Sequence, residues 1–166
     1  MTRLLSSSAL ALLAFLFFAG GTGCAAQTPP NLSGLWRLDP GASRLIGGPM
    51  GEITWAIEHR EPHIAVVVTV TGTEEAASFA FRCVTDGSPC ENKLPSIREN
   101  RRSTAVWEGP VLVMRTTVEG PNGPFAAVDR LYGAEGGRTL VFERQVRDDG
   151  GERQVKQVFH LVGPVR

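Results

Sequence analysis

The last third of the chain places the tightest constraint on its fold. Three stretches, Phe125–Tyr132, Thr139–Val146 and Arg153–Val162, carry large apolar residues at alternating positions: Phe125, Leu131, Leu140, Phe142, Val155, Phe159 and Leu161. Gly-rich turns at Gly133–Gly137 and Asp148–Gly151 separate them. Successive strand side chains point to opposite faces, so this alternation predicts three antiparallel strands with one face against a core. A helix would instead repeat its apolar residues every three or four positions. Asp129, Arg144 and Gln157 fall on the same apolar face and interrupt it.

The remainder repeats the pattern. Leu32–Leu38 reads as a first strand, and Asp39–Met50 as a Gly/Pro-rich crossing. Ile53, Trp55 and Ile57 alternate with polar or small residues, and Ile64, Val66, Val68 and Val70 alternate again after a turn at Arg60–His63. A tight turn at Gly72-Thr73 is expected to set Val68 opposite Ala77, Val66 opposite Phe79 and Ile64 opposite Phe81. A turn at Asp86-Gly87 sets Cys83 opposite Cys90, and a short fifth strand then ends near Leu94-Pro95. Ser103–Trp107 and Val111–Val118 form a further hairpin with Trp107, Leu112 and Met114 on one face. The predicted fold is all-β, an antiparallel up-and-down β-barrel of about nine or ten strands after an N-terminal signal segment. Closure into a barrel removes the two edges that a meander of this length would otherwise expose.

Residues 1–26 read as that signal, with Arg3 as their only charge before the apolar run Ala9–Ala19. The run is shorter than the ~20 residues needed to span a bilayer as a helix. Gly21-Thr22-Gly23-Cys24 resembles a bacterial lipobox, which would make Cys24 a lipidated first residue; ordinary cleavage after Ala26 is the alternative. Residues 27–166 have room for a single domain. The expected location is the periplasm or attachment to a bacterial outer membrane, with membrane contact only through a lipid at Cys24. The chain holds 17 basic and 17 acidic residues, and losing Arg3 brings the net charge to about −1. No bulk field favours nucleic acid, which is not expected as a partner. Cys83 and Cys90 are expected to form a disulfide, in keeping with an oxidising compartment.

The chemistry rests on the inner face. In the final hairpin, Glu143 pairs with Lys156, Val141 with Val158, Phe142 with Gln157 and Leu140 with Phe159. The charged pair marks the outer face, so Phe142 and Phe159 point inward. The preceding hairpin places Leu131 beside Leu140 and Asp129 beside Phe142, with Arg144 diagonal to Asp129. A buried carboxylate or guanidinium is costly unless paired, so Asp129 and Arg144 are expected to meet. That pair reads either as a brace closing one end of the barrel or as the polar anchor of an apolar cavity. On the second reading the candidate ligand-binding residues are Trp36, Trp55, Phe79, Trp107, Met114, Asp129, Phe142, Arg144 and Gln157, and the partner is a small hydrophobic or amphipathic molecule. Aromatic residues filling a solid core, in a structural or protein-interaction module, are the alternative. His59 and His63 flank a turn and could meet on a surface, but without a third ligand they predict no metal site. Neither a Gly-x-Ser-x-Gly elbow nor a phosphate-binding loop occurs, so neither catalysis nor a cofactor is expected.

Gly34-Leu35-Trp36 on the first strand, the antiparallel meander and an arginine on a late strand resemble the lipocalin-type (calycin) barrels. The chain is also similar to exported bacterial proteins described as lipocalin-like, through its Leu32-Ser33-Gly34-Leu35-Trp36 start, Trp107-Glu108-Gly109 turn and repeated Gly turns. The resemblance implies a barrel with Trp36 at its closed end and an arginine packed across it, Arg144 or, as the alternative, Arg153. It speaks to fold more than to activity.

Overall fold

The computed structural model describes residues 28–45, 51–72, 77–93, 100–119 and 123–165. The signal segment, Cys24 and the end of the fifth strand near Leu94-Pro95 lie outside the described residues. The strands are β1 (Gly34–Leu38), β2 (Glu52–Arg60), β3 (His63–Thr71), β4 (Ala77–Val84), β5 (Asp86–Pro89), β6 (Glu91–Lys93), β7 (Asn100–Glu108), β8 (Val111–Glu119), β9 (Phe125–Ala134), β10 (Thr139–Asp148) and β11 (Gly151–Gly163). They form one antiparallel sheet in the order β5-β7-β8-β9-β10-β11-β1-β2-β3-β4-β6. β5 and β6 are consecutive pieces of one stretch, so the architecture is an up-and-down barrel of ten strands, nearly closed. The only helical piece among the described residues is a single 3-10 turn at Glu135–Gly137.

One short segment bridges the seam. Asp86–Pro89 pairs with β7, whereas Glu91–Lys93 pairs with β4 on the opposite side. The Cys90 amide between them donates to Ser103 O of β7 at 2.8 Å. The expected Cys83–Cys90 disulfide is present, with Cα atoms 4.3 Å apart. Its register is that of an Asp86-Gly87 hairpin, since Arg82 faces Glu91, but residues 86–89 leave β4 to hydrogen-bond to β7. The disulfide therefore anchors the bridging segment to β4 just where it changes partner.

The final hairpin has the expected register, including Glu143 opposite Lys156 and Phe142 opposite Gln157. Two other registers differ from expectation by two residues. Val68 faces Phe79 and Ile64 faces Cys83. Phe142 faces Leu131 and Arg144 faces Asp129 directly, because the 3-10 turn at Glu135–Gly137 lets the strands pair out to Ala134 and Thr139. A two-residue slip preserves the face of every side chain, so the inner set is unchanged.

Gly34 illustrates why the first strand reads as it does. A Cβ there would stand 2.5 Å from Leu161 Cδ1, so any larger residue would oblige that exposed leucine side chain to move aside. The Trp36 indole N–H two residues on donates to Leu32 O at 3.0 Å. The core beneath is solid: Phe159, Leu140, Leu131, Leu112, Ile57, Ile64 and Val66 are essentially inaccessible. Each such side chain contributes about 1.5–3 kcal/mol through removal of apolar surface from water.

Candidate functional site

The two ends of the barrel differ. At one end the two-residue turn Glu61-Pro62 between β2 and β3 folds over the interior. His59, on the inner face of β2, is buried; its Nδ1 accepts the Leu32 N–H at 3.2 Å and its Nε2–H donates to Glu61 Oε1 at 2.7 Å. Glu61 Oε1 also accepts the Trp107 indole N–H at 2.6 Å, and Oε2 accepts the Thr85 hydroxyl at 2.8 Å. Burial pushes the Glu61 carboxyl up, but the hydrogen bonds from His59, Thr85 and Trp107 outweigh it and hold the pKa below the ordinary value. One carboxylate thus ties the β2–β3 turn, the corner after β4 and the end of β7 together across the seam. This shuts the end.

Sequence reasoning missed that hub and misplaced two of its members. His59 is not at the surface beside His63 but inside, where its parity with Ile53, Trp55 and Ile57 puts it. Trp107 does not line a ligand cavity; it packs 5.7 Å from the His59 ring and donates to Glu61. Trp36 likewise lies outside the cavity, buried against Leu32.

At the other end, an interior cavity of about 270 Å³ remains. Its floor is Trp55, which meets Phe142 edge-on at 5.0 Å and Phe159 at 4.9 Å. Phe79, Phe81, Met114 and Val68 supply apolar wall, with Leu45 from the crossing after β1. Two polar residues enter the lining, Arg144 and Gln157. Of the candidate ligand-binding residues, Trp55, Phe79, Met114, Phe142, Arg144 and Gln157 therefore converge on one space. Asp129 stands behind it.

Asp129 and Arg144 do meet, as burial required. Arg144 Nε donates to Asp129 Oδ1 and Nη2 to Oδ2, each at 2.7 Å, a two-pronged pair that matches guanidinium to carboxylate geometry. The Asp129 side chain is 2 % exposed, against 40 % for Arg144. Burial pushes the Arg144 guanidinium toward losing its proton, but the hydrogen bond and charge of Asp129 prevail and raise its pKa above the ordinary value. The guanidinium also lies 5.3 Å from the Phe142 ring centre, a cation–π distance. The ring beneath it is therefore Phe142, not Trp36. Because the pair joins adjacent strands, it does not brace the barrel from wall to wall; the Glu61 hub and the disulfide hold the seam.

A larger concavity of about 880 Å³ lies on the outer side of β2–β4, between Glu58, Arg60, Ala65 and Arg82 and the C-terminal Pro164-Val165. It is an open groove of mixed polarity, without the aromatic enclosure of the interior cavity. Among the described residues no cluster of His, Cys, Asp and Glu has the makings of a metal site, and no helix is long and apolar enough to cross a membrane. No protein-family model, curated protein or solved structure matches this chain.

Proposed function

We propose that this protein is an exported lipocalin-like binding protein that holds a small apolar or amphipathic molecule in the open half of its barrel, without catalysing a reaction. The observation that carries the reading is the interior cavity itself. It is walled by Trp55, Phe79, Phe81, Met114 and Phe142, and among the described lining residues Arg144 and Gln157 alone bring polar side chains. Apolar enclosure with few, fixed polar contacts is the usual make-up of a small-molecule site. Export is supported by the signal-like residues 1–26 and by the Cys83–Cys90 disulfide, a bond that persists in oxidising compartments. Native mass spectrometry of protein purified without detergent tests the reading: a retained or readily added small molecule is expected. Protein that stays free of every added apolar molecule would overturn it.

The outer groove favours a second reading, a protein-interaction module. Val67 and Val162 are exposed on the outer face at 41 % and 49 %. Substitution Ala65→Arg in the groove would then abolish cross-linking to a partner in cells and leave small-molecule uptake unchanged.

A further inference from the structure

The Asp129–Arg144 pair decides what kind of polar group the cavity accepts. We propose that the ligand is a neutral molecule bearing a hydrogen-bond acceptor, such as a ketone, ester or ether of one or two rings, and not a carboxylate. This rests on the interior-binding reading above.

The charge of Arg144 is already matched. Both Asp129 oxygens are engaged by the guanidinium, and Asp129 is almost wholly buried. Among the described cavity-lining residues Arg144 is the only charged side chain, and its pairing with Asp129 leaves the two together without net charge. A ligand carboxylate on Arg144 would add a second anion to the same guanidinium, in a largely apolar cavity with no further cation among the described lining residues. Like charges sharing one partly buried guanidinium disfavour one another.

The donors, in contrast, are not all spent. Of the five N–H groups of a guanidinium, the pair uses those on Nε and one on Nη2. The Nη1 hydrogens and the second Nη2 hydrogen have no partner among the described residues. The Gln157 amide lines the same cavity and is likewise without a partner there. A neutral acceptor satisfies these donors without bringing charge. Size follows from volume: a cavity of ~150 Å³ admits benzene, so about 270 Å³ accommodates a compact one- or two-ring skeleton.

Three probes of one skeleton separate the possibilities: naphthalene, 2-acetylnaphthalene and 2-naphthoate, titrated by calorimetry at neutral pH. The mature wild-type protein is expected to bind 2-acetylnaphthalene most tightly and 2-naphthoate about tenfold or more weakly, a gap of about 1.4 kcal/mol. In Asp129→Asn the charge of Arg144 is released, and 2-naphthoate is expected to become the tightest of the three. Tighter binding of 2-naphthoate than of 2-acetylnaphthalene by the wild type would overturn the neutral-ligand proposal and leave interior binding standing. Failure of all three to bind would overturn both. Should Asp129→Asn not fold, the wild-type ranking decides the matter alone.

Discussion

Arg144 of β10 and Asp129 of β9 stand directly opposite one another and share two hydrogen bonds of 2.7 Å at the wall of an apolar cavity. Asp129 is the buried member and Arg144 the half-exposed one. The two are therefore unequal when one is removed. Arg144→Met strands a buried carboxylate and is expected to cost about 2–3 kcal/mol, below the full cost for a wholly buried pair because Arg144 keeps water contact. The double change Asp129→Leu with Arg144→Met removes both charges and should restore wild-type stability or exceed it. Urea unfolding of the single and double variants measures the difference.

Filling the cavity should separate binding from stability. Val155 lines the cavity beside Arg144, its direct partner across β10 and β11, and is not part of the buried core. Val155→Phe enlarges a side chain into empty space, so its cost should stay within about 1.5 kcal/mol. Ligand binding measured by calorimetry should nevertheless fall at least about tenfold.

The Glu61 hub predicts a specific acid sensitivity. Glu61 is held below its ordinary value of 4.5 in the folded chain. A carboxyl whose folded pKa is depressed contributes stability that is fully present above the unfolded pKa. That contribution is lost as pH falls through the folded value. Urea midpoints of the wild type should therefore drop as pH falls below 4.5, and Glu61→Gln should show a smaller drop over the same interval while being less stable at neutral pH.

Reduction of Cys83–Cys90 should loosen the seam. The cysteines are 7 residues apart, and a loop of that length corresponds to about 2–3 kcal/mol of lost unfolded-state entropy. Denaturation with and without reductant should differ by about that amount. Hydrogen exchange should quicken first at the Cys90 amide, which bonds to β7.

The fold was legible because side-chain face survives register error. Ile64, Val66 and Val68 point inward whether they face Phe79 and Phe81 or their neighbours two residues away, and the same holds for Asp129 and Arg144. The exact register depended on the turns: the 3-10 turn at Glu135–Gly137 shifted Arg144 from a diagonal to a direct partner of Asp129. The cavity lining was legible in the same way, since Trp55, Phe79, Met114, Phe142, Arg144 and Gln157 are inward positions. What parity cannot say is how far along the barrel a residue lies. Trp36 and Trp107 share the inward parity but sit at the shut end. The Glu61 hub was missed because Trp107 and Glu61, 46 residues apart, meet only through the closure of the sheet. His59 carried a readable signal, its place in the Ile53–Trp55–Ile57 alternation.

The central claim is that the open half of the barrel binds a small molecule, and chemical-shift mapping tests it most directly. With 2-acetylnaphthalene added to saturation, the Met114 methyl and the Trp55 indole should shift and show contacts to the ligand, while the Trp36 indole stays in place. Shifts confined to the outer groove at Glu58, Ala65 and Arg82, or no shifts at all, would contradict it.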